Sequence, residues 1–178
     1  LATSSAASDV YKRQGYEYSR SQNPTREVLE NSIAELESGY KAFAFASGVA
    51  AQTAVLDLLK PGDHVIAFDD LYGGTFRLFN EIKSKSSNIE FTFVDLNTNF
   101  SKEIKKNTKM IWIETPTNPL LKITDLKRIA RIARKNKLIT VCDNTFATPY
   151  NQRPLEHGID IVCLLYTSDA ADDVASVG

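Results

Sequence analysis

The feature that most constrains the fold of this chain is a regular alternation between short apolar, β-rich runs and longer stretches with helical periodicity. The clearest helix is predicted at residues 125–135, where apolar residues recur every three to four positions, and an apolar strand follows at 138–142. Strands separated by helices imply crossover connections, which build a mainly parallel sheet covered by helices on both faces. The expected fold class is therefore a three-layer α/β/α domain.

The individual elements follow from the same alternation. Strands are predicted at residues 42–45, 63–68, 90–94, 110–113 and 138–142. Helices are predicted at residues 48–59, 75–83, 101–106 and 125–135, after a first helix that Thr25 caps and Gly39 ends.

The two ends of the chain limit which residues can be interpreted as natural protein, because a single stretch of DNA, read on opposite strands, can encode both terminal segments. Codons chosen for residues 4–14 have a reverse complement that, shifted by one base, encodes residues 163–172. Such an inverted match is typical of a sequencing-library adaptor translated on both sides of an insert. We therefore interpret residues 1–14 and 163–178 as adaptor-derived and residues 15–162 as an internal fragment of the natural protein.

Charge and cysteine content limit the partners and the compartment. The formal net charge is −1, and leaving out the two ends, which contribute +1 and −3, gives +1 for residues 15–162. A nearly neutral chain gives no reason to propose nucleic acid or an anionic membrane as a partner. Cys142 is then the only cysteine, so no intrachain disulfide is expected and a cytoplasmic setting is the simpler assumption. No apolar run reaches the roughly 20 residues that span a bilayer.

Two of the loops beside predicted strands are rich in small residues. In a parallel sheet, ligands bind where strands end and helices begin. Residues 46–50 are all small, so their backbone N–H groups and the helix dipole are free to hold a phosphate, although a tight turn also explains this composition. In the loop at 69–75, Tyr72 precedes two glycines, which would let a flat ligand approach the tyrosine ring. Alternatively, this loop is a turn that contains a half-buried tyrosine.

Two further loops carry polar groups directly after apolar strands. Residues 114–119 are stiffened by two prolines and offer Asn118 as both donor and acceptor, unless the loop is only a rigid connector. Asp143 directly follows the strand at 138–142. A carboxylate buried there needs a cation such as a protonated ring nitrogen; alternatively, Asp143 lies at the surface and caps a turn. His64 and His157 are isolated from other ligand-type residues, so no metal site is predicted.

Taken together, these segments resemble the cystathionine synthase and lyase family, the pyridoxal phosphate enzymes of cysteine and methionine metabolism. The resemblance covers residues 15–162. Its motifs are Tyr16-Glu17-Tyr18-Ser19-Arg20, Asn23-Pro24-Thr25-Arg26, Phe45-Ala46-Ser47-Gly48, Tyr72-Gly73-Gly74-Thr75, Glu114-Thr115-Pro116-Thr117-Asn118-Pro119 and Asp143-Asn144-Thr145-Phe146. The resemblance implies a truncated large domain of a fold-type I pyridoxal-phosphate-dependent transferase. It also implies an amino-acid substrate and a homotetramer arranged as a dimer of dimers.

The resemblance implies that four residues hold the cofactor from this chain's own loops. The amides of Gly48 and Val49 would bind the cofactor phosphate at the start of a helix. Tyr72 would stack on the pyridine ring and take part in proton transfer. Asp143 would pair with the ring nitrogen and keep it protonated, so that the ring accepts electrons from the substrate.

Four more residues complete the implied site. Asn118 would hydrogen-bond the ring hydroxyl, and Thr145 would support the same face of the ring. Tyr18 and Arg20 would reach across a dimer interface to the phosphate of the neighbouring subunit, a task that suits the donor fork of arginine. The lysine that binds the cofactor covalently is expected in a Ser-X-Thr-Lys motif shortly after Val162. This chain does not carry that motif, so we expect the polypeptide itself to be inactive and its full-length parent to be active.

The implied chemistry is replacement or elimination at the γ-carbon of homoserine-derived substrates, by a cystathionine γ-synthase or γ-lyase. Gly74 lies where methionine γ-lyases of the family usually carry cysteine, which makes that activity a less favoured alternative. O-acylhomoserine sulfhydrylase and cystathionine β-lyase activities also remain open. An alternative of another class is a degenerate homologue that has no catalytic function.

Overall fold

The structure is a computed structural model that describes residue 15 and residues 23–165. It divides the chain into two compact units, residues 1–44 and residues 45–178. Residues 1–14 and most of the predicted adaptor-derived tail therefore lie outside the described part of the chain.

The described part of the first unit is organised by helix α1, Pro24–Leu36. Its cap is Asn23, not the predicted Thr25, because the Asn23 side chain accepts the N–H groups of Thr25 and Arg26 at 2.9 and 3.2 Å. Proline at the first helical position favours this start, since its missing N–H would have no partner within the helix. Helix α1 thus begins one residue before the predicted cap.

The predicted strand at residues 42–45 is wrong. These residues are irregular, and the N–H of Ala44 donates to the Glu30 carboxylate at 2.8 Å instead of to a neighbouring strand. An apolar run becomes a strand only when a sheet edge pairs with it, which the local pattern does not reveal.

The second unit is built on a five-stranded parallel sheet with strand order β2-β1-β3-β4-β5. The strands are β1 His64–Phe68, β2 Glu90–Val94, β3 Thr108–Glu114, β4 Ile139–Asp143 and β5 Ile161–Cys163. All of β1 is buried, and in β3 only Lys109 is exposed, so both faces of the sheet are covered. The predicted α/β class is confirmed.

Helical segments connect the strands. They are α2 Gly48–Leu56, α3 Gly73–Arg77 with its π-helical continuation Leu78–Lys83, α4 Ser84–Ser86, a 3-10 turn Phe100–Glu103, α5 Leu126–Asn136, α6 Thr148–Asn151 and a 3-10 turn Pro154–His157. Helix α2 ends three residues before the predicted Leu59, because the chain tightens there: the N–H groups of Leu58 and Leu59 donate to carbonyls three residues back, at 3.2 and 3.0 Å. Helix α5 buries its apolar face, as its periodicity predicts. Within residues 23–165, no helix is long and apolar enough to cross a membrane.

The strand order determines where a ligand can bind. The chain leaves β1 toward β2 on one side and returns as β3 on the other side of β1. Loops therefore diverge between the carboxyl ends of β1 and β3, which is the position where open parallel sheets bind ligands. The loops carrying Tyr72, Asn118 and Asp143 all follow strands at this edge.

Candidate functional site

Asp143 lies at the carboxyl end of β4 and is buried, with 9% of its surface exposed. Its Oδ1 accepts the N–H of Thr145 at 3.0 Å, and its Oδ2 accepts the side-chain amide of Gln52 at 3.2 Å. Burial raises the pKa of the Asp143 carboxyl, while the hydrogen bonds from Thr145 and Gln52 oppose that rise. No lysine or arginine of residues 23–165 forms an ion pair with it. A cation placed here would relieve the cost of burying the charge.

Gln52 and Thr75 extend this site in a way that sequence reasoning missed. Gln52 lies on α2 and is almost fully buried, and its Oε1 accepts the hydroxyl of Thr75 at 3.1 Å. Thr75 is itself fully buried in α3. The available signal was Gln52 itself, the only long polar side chain in a helix of otherwise small or apolar residues and threonine.

Glu114 is a second buried carboxyl group that the sequence analysis left without a role. It ends β3 beside Asp143, its register partner in β4. Its Oε2 accepts the backbone N–H of Tyr72 at 3.0 Å, and the backbone N–H of Asn118 also donates to it. Glu114 therefore joins the loop after β1 to the loop after β3 and brings two of the predicted site residues together.

Burial raises the pKa of Glu114 to about 8, with a further rise from the nearby Asp143 and Asp70. The unfolded chain ionises near the ordinary value of 4.5, so between these values the folded state binds more protons and stability falls as pH rises. We expect full-length Glu114→Gln to remove this loss, gaining on wild type by about 1.4 kcal/mol per pH unit between about pH 5 and 7.5. Urea unfolding of the cofactor-free protein across this range measures it, and parallel curves would contradict it.

The predicted phosphate site lies at the amino end of α2. Ser47 caps the helix by accepting the N–H of Ala50 at 3.1 Å, which leaves Gly48 and Val49 in the first turn. Leu165 approaches the same place, since its side chain lies 3.6 Å from a Cβ built on Gly48 and its N–H donates to the Thr145 hydroxyl at 3.1 Å. The segment after β5 therefore enters the site between α2 and β4.

Tyr72 precedes α3 and its ring is 44% exposed. A Cβ at Gly74 would lie 2.5 Å from Tyr72 Cε1, whereas a Cβ at Gly73 would meet only Arg77 Nη1 at 3.4 Å. The absence of a side chain at Gly74 therefore leaves room for the Tyr72 ring in its observed position.

We expect Gly74→Ala in the full-length protein to displace the Tyr72 ring and reduce turnover by about tenfold, less than the roughly 10²-fold of a 1 Å misplacement, because an exposed ring can move away from the added methyl group. Gly73→Ala is the matched control, because it adds the same methyl group one residue earlier without contacting Tyr72. Steady-state kinetics measures the turnover of both variants relative to wild type. Equal turnover in the two variants would show that the Tyr72 ring does not depend on Gly74.

A supporting layer of hydrogen bonds fixes the loops around the site. Asp70 accepts the hydroxyl of Thr117 and the N–H of Leu120, which ties the loop after β1 to residues 117–120. Asn144 and Gln152 hydrogen-bond each other, and Gln152 also donates to the carbonyl of Thr115 at 3.1 Å. These bonds make the Asn118 and Thr145 loops a connected unit.

The structure brings most of the predicted site together. Tyr72 and Asn118 hydrogen-bond Glu114, while Gln52 and Thr145 hydrogen-bond Asp143. Gly48 and Thr145 both lie beside Leu165, a residue that the sequence analysis interprets as adaptor-derived. The predicted interface residues Tyr18 and Arg20 lie outside the described residues. Among residues 23–165 no cluster of metal-ligating side chains forms.

These groups fit pyridoxal phosphate. A buried carboxylate that receives only neutral donors suits a cationic ring nitrogen, and a capped helix start suits a phosphate. A sequence model of the Cys/Met metabolism PLP-dependent enzymes matches residues 2–167. This chain belongs to that family. Its members depend on pyridoxal phosphate, as the resemblance implied.

Individual relatives agree with this assignment. The chain is 52% identical over 173 residues to cystathionine beta-lyase of Coxiella burnetii, covering 93% of this chain and 45% of that protein. It is 55% identical over 150 residues to cystathionine gamma-lyase of Bacillus subtilis, covering 83% and 39%. The crystal structure of cystathionine gamma-lyase from Lactobacillus plantarum complexed with L-serine superposes with a TM-score of 0.83 at 45% identity, covering 92% and 42%. The chain thus spans less than half the length of these relatives.

Proposed function

We propose that the full-length protein is a pyridoxal-phosphate-dependent enzyme of trans-sulfuration, of the cystathionine γ-synthase or γ-lyase type. The observation that carries this proposal is the buried Asp143 carboxylate, which has neutral hydrogen-bond donors on both oxygens and no cation partner among residues 23–165. Bound pyridoxal phosphate supplies the electron sink that stabilises a carbanion on an amino-acid substrate.

In this proposal, different residues of the chain bind the cofactor, keep its ring nitrogen protonated and transfer a proton. Asp143 keeps the ring nitrogen protonated, and Thr145 holds the Asp143 carboxylate through its N–H and side chain. Gly48 and Val49 donate their backbone N–H groups to the phosphate. Asn118 hydrogen-bonds the ring hydroxyl. Tyr72 covers the ring and moves a proton at its phenolic oxygen, with its backbone anchored on Glu114.

Assembly completes the site in this proposal. Tyr18 and Arg20 act across a dimer interface on the phosphate of the neighbouring subunit, within a dimer of dimers. Arginine suits this position because its planar fork matches phosphate oxygens. The near-neutral charge of residues 15–162 supports small-molecule substrates rather than nucleic acid or membranes, and the single natural cysteine supports a cytoplasmic location.

The parent gene provides the first test. We propose that residues 15–162 are natural and that residues 1–14 and 163–178 derive from an adaptor. Amplifying the gene past the codon for Val162 should give a Ser-X-Thr-Lys motif, whose lysine would enter the site where Leu165 now approaches Gly48. A genomic sequence that continues through Cys163 and Leu164 instead would favour the non-catalytic homologue.

A second activity is favoured by a specific observation, the 52% identity to a cystathionine beta-lyase. Product analysis of the full-length protein separates the candidates. Cleavage of cystathionine at the γ-carbon releases cysteine, ammonia and 2-oxobutyrate, whereas cleavage at the β-carbon releases homocysteine, ammonia and pyruvate. A synthase instead forms cystathionine from cysteine and an O-acylhomoserine. We expect γ-chemistry, and a protein that catalyses none of these reactions would overturn the proposal.

A further inference from the structure

We propose that Gln52 is a positioning residue, which holds the Asp143 carboxylate in the plane needed by the cofactor ring nitrogen and links it through Thr75 to the segment carrying Tyr72. This inference rests on the proposed function and adds to it a residue from the interior of α2.

The first step concerns the freedom of the Asp143 side chain. The terminal torsion of an aspartate is soft, so burial alone does not orient its carboxylate. Here Thr145 donates its N–H to Oδ1 at 3.0 Å and also donates through its side chain, while Gln52 Nε2 donates to Oδ2 at 3.2 Å. Donors that approach from both sides of the carboxylate fix the plane of the group. A carboxylate has about four lone-pair sites, so it can still accept a further donor such as a ring N–H.

The second step concerns the orientation of the Gln52 amide. An ionised carboxylate only accepts hydrogen bonds, so Gln52 must turn its Nε2 toward Asp143. Its Oε1 then faces the hydroxyl of Thr75, which donates to it at 3.1 Å. Both side chains are almost fully buried, at 3% and 0% exposure, so water does not compete for these bonds.

The third step connects the pair to Tyr72. Thr75 is the third residue of α3, which begins immediately after Tyr72. The hydrogen bonds Asp143–Gln52–Thr75 therefore join the carboxylate that would pair with the ring nitrogen to helix α3, which directly follows Tyr72. These hydrogen bonds resist movement of either group and so keep the Asp143 carboxylate and Tyr72 in a fixed arrangement relative to each other.

The test uses the full-length enzyme and pyridoxal phosphate itself. We expect Gln52→Leu, which keeps the size but loses both hydrogen bonds, to weaken pyridoxal phosphate binding about tenfold or more, the effect of losing a hydrogen bond to a charged group. We also expect kcat to fall with little change in KM. Since Gln52 opposes the rise in the Asp143 pKa, the acid limb of the kcat pH profile should move to higher pH.

Non-additivity distinguishes a positioning role from a general loss of packing. Thr75→Val removes one hydroxyl and keeps the side-chain shape, so it should weaken cofactor binding less than Gln52→Leu. In the Gln52→Leu background it should have no further effect, because Thr75 acts only through Gln52. Thr53→Val is the matched control, since that hydroxyl donates within α2 to the Val49 carbonyl and does not reach Asp143.

The outcomes separate the two proposals. If wild-type protein binds no pyridoxal phosphate, the proposed function fails and this inference fails with it. If wild type binds but Gln52→Leu and Thr75→Val bind equally well with unchanged pH profiles, only the inference is overturned. Additive losses in the double variant would also overturn it. Should Gln52→Leu fail to fold, Thr75→Val decides by its affinity and pH profile alone.

Discussion

Replacing Asp143 with Asn in the full-length enzyme is expected to lower kcat on the order of 10²–10³-fold, the range seen when one preorganised electrostatic partner is removed. The amide keeps the size of the carboxylate and still accepts the N–H of Thr145 at the Oδ1 position. It carries no charge, so it no longer keeps a ring nitrogen protonated. Steady-state kinetics, together with the absorbance of the bound cofactor, measures the effect.

Asp69→Asn is the matched control for this prediction. Asp69 follows β1 at the same edge of the sheet, but it is partly exposed and pairs with Lys122 at 3.2 Å. An exposed ion pair of this kind contributes about 0–1 kcal/mol, so activity should stay close to wild type. Near-normal turnover in Asp143→Asn would sink the assigned role, and an equal loss in both variants would trace the effect to general destabilisation.

Replacing Trp112 with Ala is expected to cost about 3–5 kcal/mol of unfolding free energy, the usual range for removing a large buried aromatic side chain. Trp112 is fully buried in β3, between β1 and β4. Its ring meets the edge of Phe79 at a centroid distance of 5.0 Å, and Phe79 stacks on Phe91 at 4.9 Å. The variant would leave a cavity under the centre of the sheet. Urea unfolding of the cofactor-free, full-length protein measures the loss.

Two further variants test this account of the core. Trp112→Phe keeps a ring for Phe79 and removes an indole N–H that has no partner among the described residues, so its loss should be smaller. Tyr40→Ala removes an aromatic side chain that is fully exposed in its own unit, and should change stability by no more than about 0.5 kcal/mol. A comparable loss in Tyr40→Ala and Trp112→Ala would contradict the assignment of the core.

Local pattern was sufficient for the regular elements. Strand β2 was predicted with its observed bounds, and α5 was predicted within one residue at each end, because apolar periodicity reports directly on which face is buried. The strand expected at 42–45 failed because pairing requires a partner that the run itself does not specify. The observed cap, Asn23, lies two residues before the predicted Thr25, since both residues are competent acceptors and only the backbone conformation chooses between them.

The candidate site divides in the same way. Tyr72, Asn118 and Asp143 were predicted as site residues because each follows an apolar strand, where polar or glycine-rich residues are conspicuous. Gln52 and Glu114 were passed over, since Gln52 lies inside a helix and Glu114 stands in the proline-containing loop in which Asn118 was singled out. Their importance lies in bonds that cross long stretches of sequence, from Gln52 to Asp143 and from Glu114 to Tyr72.

By itself, therefore, the sequence determined the α/β class and the family and singled out the loops of the candidate site, because these depend on short-range pattern and on residue type. The tertiary structure decided the strand order, the divergence of the loops between β1 and β3, and the hydrogen-bond partners of Asp143 and of the Tyr72 backbone. It also decided that Glu114 is buried enough to raise its pKa to about 8. These properties depend on which residues, distant in sequence, come into contact and exclude water from one another, and short-range sequence pattern does not reveal those contacts.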